Sequence, residues 1–332
     1  MKLTFVAWTR FDHRSHLLAS ELGARIHFIH FGQRGRVLQA PIRYLIQGLR
    51  TWRVLRIERP DVVLTQNPPI FCALLVFVFC RLYQVKYVID SHTGAFLSLK
   101  WRPFLLLHRW LSRNALTTIV HNVAQEQAIR TWGCQYVVMI DPIVPYPIGE
   151  NVKLDGQFNV VVINTFAEDE PINAVLGAAS LLPDFEFYVS GDVDLASKAV
   201  VAKPPTNCHF TGFVPYGKYI GLLRAADVIV DLTTRDHTLL CGAFEAVALG
   251  KPLITSDWPI LRERFNSGVV HVPNTAEGIR QGLRRVRANR GALENDILSL
   301  RSVLESEWSV KLRELKTIIS LGPTRPMEQR PT

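Results

Sequence analysis

Near the start of the last third of the chain, a polar segment runs into an apolar helical pattern. Asp236-His237-Thr238-Leu239-Leu240-Cys241-Gly242 leads into Ala243-Phe244-Glu245-Ala246-Val247-Ala248, and Gly250 ends the run. Backbone N–H groups at such a helix entry, near Thr238–Gly242, suit an anion such as a diphosphate. Arg235 stands beside that entry as a candidate guanidinium clamp or a solvated arginine. Glu245 lies one to two turns into the helix, as a site residue or a solvated helix carboxylate. A second constellation is Asp90-Ser91-His92-Thr93-Gly94. His92 follows an apolar strand pattern and precedes a glycine that lets a ligand approach. It could serve as a base, a hydrogen-bond donor or a phosphate contact, or be a satisfied structural histidine. Asp12, His13 and His16 sit in an early loop, where they either cap a helix or face a substrate. Asp192-x-Asp194 reads as a loop turn, so no metal site is expected.

These residues need elements to hold them. Leu3–Trp8, Ile26–Phe31, Asp61–Thr65, Tyr87–Asp90, Thr118–His121 and Tyr136–Ile140 read as strands. Helical patterns fall between them, including one opened by Pro41 with Ile42, Leu45, Leu49, Trp52 and Leu55 at three-to-four spacing. Others are Pro69–Tyr83 and Trp101–Ser112. A proline-rich break follows. Strands then resume at Asn159–Asn164, Glu186–Ser190, His209–Thr211, Val228–Asp231, Pro252–Thr255 and Val269–His271, with helices between and a helical close from about Gly278 to Ser320. Such alternation predicts parallel α/β sheets. In these, ligands meet the loops at the carboxyl ends of the strands, here in a crevice between two halves. The expected division is residues 1–145, a linker at 146–157, a second domain at 158–321 and a disordered tail at 322–332.

The 332 residues carry a net charge of +9, unevenly divided. Residues 1–150 hold 18 Lys and Arg against 8 Asp and Glu, whereas residues 151–332 hold 20 against 21. Arg34, Arg36, Arg43, Arg50, Arg53, Arg56 and Arg59 share their stretch with one acid, Glu58. Leu99–Trp110 sets Trp and Arg at the edges of an apolar run. Both are solvated faces or contacts to an anionic membrane surface; no nucleic-acid motif accompanies them. The longest apolar run, Ile70–Cys80, is too short for a span. Five scattered cysteines suggest a reducing, cytoplasmic setting. Neither Gly-x-Gly-x-x-Gly nor a Walker lysine loop is present, which disfavours dinucleotide dehydrogenases and P-loop NTPases.

The segment from Asp236 to Ser256, with Glu245-Ala-x-Ala-x-Gly250-x-Pro252, resembles the donor site of GT-B glycosyltransferases, especially family 4. Asn207–Phe213, Leu222–Asp231 and Trp308 extend the likeness. It implies a GT-B fold of two Rossmann-like domains facing across a cleft. It also implies that Glu245 accepts hydrogen bonds from a nucleotide's ribose hydroxyls. Donor contacts are then expected from Glu245, Arg235, Asp236, His237, Thr238 and Leu239, with Thr165, Phe166 and Gly191 beside them. The family's first glutamate is replaced by His237. Gln66-Asn67-Pro68-Pro69, Asp90-Ser91-His92 and Thr165-Phe166 with Asp169-Glu170 resemble the β-mannosyltransferases that extend chitobiosyl-diphosphodolichol.

The resemblance implies a metal-independent hexosyltransferase using a UDP or GDP sugar as substrate, with no cofactor. Its acceptor would be a lipid-linked glycan, in polysaccharide or glycan assembly on the cytoplasmic face of a membrane. Inversion needs a base, for which His92, Asp12 and His13 are the candidates. A catalytically inactive GT-B-like subunit is the alternative, and a UDP-sugar epimerase a third.

Overall fold

Short β-branched and aliphatic runs form buried strands, and the segments between them fold back as helices. The computed structural model describes residues 1–32, 40–143, 146–196 and 203–322. In chain order the first elements are β1 (Leu3–Ala7), α1 (His13–Leu22), β2 (Arg25–Phe28), α2 (Ala40–Glu58), β3 (Val62–Asn67) and α3 (Ile70–Tyr83). They continue with β4 (Lys86–Ser91), α4 (Gly94–Leu97), α5 (Leu105–Asn114), β5 (Thr117–Val120), α6 (Val123–Arg130) and β6 (Tyr136–Val138). These six strands form one parallel sheet in the order β2-β1-β3-β4-β5-β6.

The second set is β7 (Asn159–Val162), α7 (Ile172–Ser180), β8 (Glu186–Ser190), β9 (Cys208–Gly212), α8 (Tyr216–Ala225) and β10 (Val228–Asp231). It ends with α9 (Cys241–Ala248), β11 (Leu253–Ser256), α10 (Pro259–Arg264), β12 (Val269–Val272) and α11 (Ala276–Leu321). Its parallel sheet runs β12-β11-β10-β7-β8-β9. The expected alternation therefore holds throughout. Strand centres such as Phe5, Leu64, Val88, Val160, Phe187 and Val230 are fully buried, and helices cover both faces of each sheet as a doubly wound fold requires.

Two compact units result: Met1–Asp141 with the chain from Glu307 on, and Pro142–Ser306. This differs from an expected second domain running to residue 321. The early turns of α11 bury Ile279, Leu283 and Val286 in the second core. Its last turns set Leu312, Leu315, Ile318 and Ile319, at helical spacing, against Phe5, Leu64 and Val88 of the first. Trp308 packs there too. The segment expected as a linker is fastened to α8: Glu150 N–H donates to Gly217 O at 2.9 Å, and Arg224 donates to Tyr146 O and Pro147 O. The helix expected from Trp101 begins as a 3₁₀ turn at Arg102–Phe104, where Pro103 lacks an N–H, and α5 starts at Leu105. Arg34, Arg36 and the tail from 323 lie outside the described residues. Among those described, no helix is long and apolar enough to cross a membrane. Burial pushes the Cys72 and Cys80 thiols up to about 12 and Cys208 up to about 11, which makes them inert.

Candidate functional site

In the first unit the chemistry gathers at the carboxyl ends of β4, β5 and β6. Asp90 lies within β4, paired in register with Gln66 of β3 and Ile119 of β5. His92 and His121 follow β4 and β5, so both imidazoles reach the same carboxylate. His121 Nε2 lies 2.9 Å from Asp90 Oδ1, and His92 Nε2 lies 3.3 Å from Oδ2. Gln66 Nε2 also sits 3.3 Å from His92 Nε2. Arg14, on the first turn of α1, places its Nε 3.9 Å from Asp90. It donates to Asp141 Oδ1 at 2.5 Å and to Met139 O at 2.6 Å.

The charges follow from this packing. Burial works against the Asp90 carboxylate, but His121, His92 and Arg14 together outweigh it and hold its pKa well below the usual range. Asp141 is held low in the same way, with Arg14 as the leading opposing charge to its burial. Burial drives His121 down to about 4, so it is neutral. His92 is raised: burial opposes its charge, and Asp90 and Asp12 overcome it. Asp90 is 0% exposed, His121 12% and His92 21%. His92 is thus the member of the cluster whose charged form its neighbours favour and whose ring is the most accessible to solvent. Asp90, His92 and His121 also bring three ligating atoms within 4.8 Å of one another, the donor set of a divalent ion. Arg14 already supplies positive charge to that carboxylate.

Asp12 is the N-cap of α1, accepting from Ser15 N–H at 2.7 Å. Its capping bond makes it less available as a base than His92. His13 opens the helix, and its side chain lies outside the described residues. His16 is exposed beside Phe11.

In the second unit, α9 begins at Cys241, and Glu245 sits on it, half-buried. Tyr219 of α8 donates its hydroxyl to Glu245 Oε2 at 2.5 Å. Burial raises the Glu245 pKa against that bond, and burial followed by the Glu245 charge sends the Tyr219 phenol well above its ordinary value. One expectation needs correction. The N–H groups of Gly242 and Ala243 do not face outward, because both donate to the buried Asp231 carboxyl at the end of β10. A Cβ on Gly242 would lie 2.5 Å from Asp231 Oδ2, so glycine permits this approach. Burial, then Glu245 and Glu170, raise the Asp231 pKa well above normal, which favours its protonated form.

The remaining expected donor residues surround this helix entry. Arg235 is exposed and pairs with Asp169 at 3.3 Å. Asp236 and His237 are exposed and face each other at 3.2 Å, and Thr238 and Leu239 are half-buried. Thr165 is tied by its N–H and hydroxyl to Glu170 at 2.8 and 2.9 Å. Phe166 has φ +58°, held by Asn164 Oδ1 on its N–H. Gly191 has φ +115°, and a Cβ there would stand 2.3 Å from Asn164 O, so only glycine fits. Asp192 caps a 3₁₀ turn through Asp194 N–H, in keeping with a loop turn. The residues not anticipated are Arg14, His121, Asp141, Tyr219 and Asp231. The rule that sites follow strand ends could have found His121, Asp141 and Asp231. No spacing signals Arg14 or Tyr219.

Residues 5–144 match the family model described as a glycosyl transferase 4-like domain, and residues 173–306 match one described as glycosyl transferase-like. No curated protein matches the chain. Sucrose-phosphate synthase from Thermosynechococcus elongatus superposes with TM-score 0.71 at 14% identity, over 96% of this chain and 98% of that one. HepE from Anabaena, solved with UDP and glucose, gives 0.69 at 12%, over 96% and 100%. A glycosyltransferase from Rickettsia africae gives 0.69 at 14%, over 96% and 98%. At these identities the likeness is one of fold.

Proposed function

Because the chain is a glycosyltransferase built on the GT-B fold, we propose that it transfers a hexosyl group from a UDP or GDP sugar to a lipid-linked glycan. The reaction needs no metal and takes place on the cytoplasmic face of a membrane. The observation that carries this reading is the Asp90–His92 pair: a partly exposed imidazole backed at 3.3 Å by a buried carboxylate at the strand ends. His92 directs Nε2 to Asp90, which leaves Nδ1 to take a proton. As the acceptor oxygen bonds to C1 of the sugar, its proton passes to His92. The C1–oxygen bond to the diphosphate breaks, and the nucleoside diphosphate leaves with the electron pair, so the configuration at C1 inverts. Asp90 favours the imidazolium that forms.

In the second unit, Glu245 receives the ribose hydroxyls, oriented by Tyr219, and the Arg235–Leu239 loop and the Thr165–Phe166 turn with Gly191 surround the donor. Nucleotide-sugar binding draws support from HepE, which was solved with UDP and glucose. The lipid-linked acceptor draws support from Gln66-Asn67-Pro68-Pro69 with Asp90-x-His92, and the membrane from the basic first half.

The test is incubation of purified protein with radiolabelled UDP and GDP sugars and a membrane lipid extract, with and without EDTA. Label should enter the organic phase equally in both. Tight nucleotide binding with no transfer would replace this reading by the inactive-subunit one. Transfer abolished by EDTA and restored by zinc would assign Asp90, His92 and His121 to a metal instead.

A further inference from the structure

Two adjoining recesses in the first unit differ in polarity and share a wall made of Trp8 and Tyr44. The larger, about 700 Å³, lies between α2 and α3. Its lining is mostly apolar: Leu45, Gly48 and Leu49 from α2 face Phe71, Leu75 and Val78 from α3, and among the described residues no charged side chain lines it. Gly48 leaves room in it, since a Cβ there would meet only Leu75 Cδ1, at 3.8 Å. Around it, Ile42, Leu45 and Leu49 are each more than 60% exposed, as is Leu82. A soluble face has no reason to leave so many large apolar residues together in water.

The smaller recess, about 320 Å³, is polar. It sits at the carboxyl ends of β1 and β3, where Trp8 and Pro68-Pro69 follow the strands. Arg43, Lys100, His30 and Gln47 line it. Gln47 is 2% exposed and donates Nε2 to Ile29 O, yet its Oε1 is buried with no hydrogen-bond partner among the described residues. His30 Nε2 is likewise buried and has none among them. A buried amide oxygen asks for a hydroxyl donor, and positive charge beside it attracts an anion. The sole acid on α2, Glu58, is buried and paired with Arg25 and Lys2, so the exposed surface of the helix is wholly cationic and apolar.

We infer that these two recesses form one binding site for a single-chain lipid bearing a sugar phosphate or diphosphate. The hydrocarbon chain lies in the α2–α3 groove. The phosphate meets Arg43 and Lys100, and a sugar hydroxyl meets Gln47 Oε1. An apolar channel continuous with a cationic, hydroxyl-seeking pocket matches both ends of such a molecule. An amphipathic helix or a second protomer would leave Gln47 and His30 unanswered. This inference rests on the glycosyltransferase reading and specifies where its acceptor binds.

The experiment uses the full chain and geranylgeranyl phosphate, with quenching of tryptophan fluorescence as the readout, since Trp8, Trp52 and Trp101 line the two recesses. Geranylgeranyl phosphate should bind at least 10-fold more tightly than geranylgeraniol, and inorganic phosphate should not compete at equal concentration. Gly48→Leu should weaken the phosphate lipid at least 10-fold, and Gly48→Ala much less, with both variants melting at or above the wild-type temperature. Lys100→Gln should narrow the gap between phosphate and alcohol. UDP affinity, measured alongside, should be unchanged in all variants. Unchanged lipid affinity in Gly48→Leu, with UDP binding and sugar transfer intact, overturns the site and leaves the glycosyltransferase reading standing. Loss of vesicle binding in Gly48→Leu without any affinity for the soluble lipid phosphate would make the groove a bilayer contact. A change from dimer to monomer in Gly48→Leu would make it a self-association face. Either result overturns the inference.

Discussion

Asp90 and Asp231 occupy comparable places, each buried near the carboxyl end of a central parallel strand, yet their surroundings shift them in opposite directions. Around Asp90 stand Arg14 and two imidazoles, and the carboxylate stays charged. Around Asp231 stand Glu245 and Glu170, and the protonated form is favoured. Burial alone raises both; neighbouring charge decides. Under the proposed function, the fixed negative charge behind His92 would favour a proton on that ring, and a protonated Asp231 would lessen the repulsion that a diphosphate meets from the carboxyl groups around it.

The sharpest way to break this contrast is at His92. His92→Ala should lower turnover by roughly 10²–10⁴-fold with UDP affinity and melting temperature little changed. Full activity with a lowered melting temperature would make His92 a structural histidine and remove the base from the first unit.

Next in size is Asp90→Asn. It removes the charged acceptor of His121 and His92 and one of the two carboxylates facing Arg14, which keeps Asp141 and Met139 O, and should cost about 1.5–3 kcal/mol of stability, read by denaturant unfolding. The wild-type protein should also weaken in acid, for two reasons of the same sign. The depressed Asp90 pKa gives stability above pH 3.8 that is lost as the carboxylate protonates. His121 and His108 stay neutral in the fold down to about 4 and about 3, whereas the unfolded chain protonates them below about 6.5. In Asp231→Asn, which lacks the opposing contribution of the raised Asp231 pKa, a melting temperature that holds level from pH 7 to pH 4 would contradict the histidine assignments, and one that holds level below pH 3.8 would contradict that of Asp90.

Glu245→Ala should weaken UDP binding by about 1.5–3 kcal/mol, the worth of hydrogen bonds to a charged acceptor. Calorimetry showing unaltered affinity would detach Glu245 from the donor.

The smallest effect is expected at Asp231, and it is the most discriminating. Asn imitates a protonated carboxyl, so Asp231→Asn should shift stability at pH 7 by less than about 1 kcal/mol, or raise it. The sign follows from its raised pKa. The folded state holds a proton that the unfolded chain releases above about 3.8, so wild-type stability declines as pH rises toward the folded pKa. The variant should lack that decline. A loss as large as that of Asp90→Asn would show that Asp231 is ionised and dissolve the comparison.

The strand runs, the alternation with helices and the proline-rich break could be read from the sequence because local apolar periodicity produces them. The Glu245 helix with its Gly250 stop and the place of His92 just after β4 could be read for the same reason. The domain boundary could not. Leu312, Leu315, Ile318 and Ile319 announce an amphipathic face but not which core it covers. The state of each site group was equally hidden. Nothing in Asp231 or its neighbours in the chain says that Gly242 and Ala243 N–H groups would turn inward to it, or that Tyr219 would hold Glu245. The sequence by itself determined which segments become strands and helices and which residues stand at strand ends, since those depend on neighbours within a few positions. The tertiary structure decided which charges meet. Arg14 reaches Asp90 across 76 positions and Asp141 across 127, and at such separations only the packed sheet sets the distance on which a pKa depends.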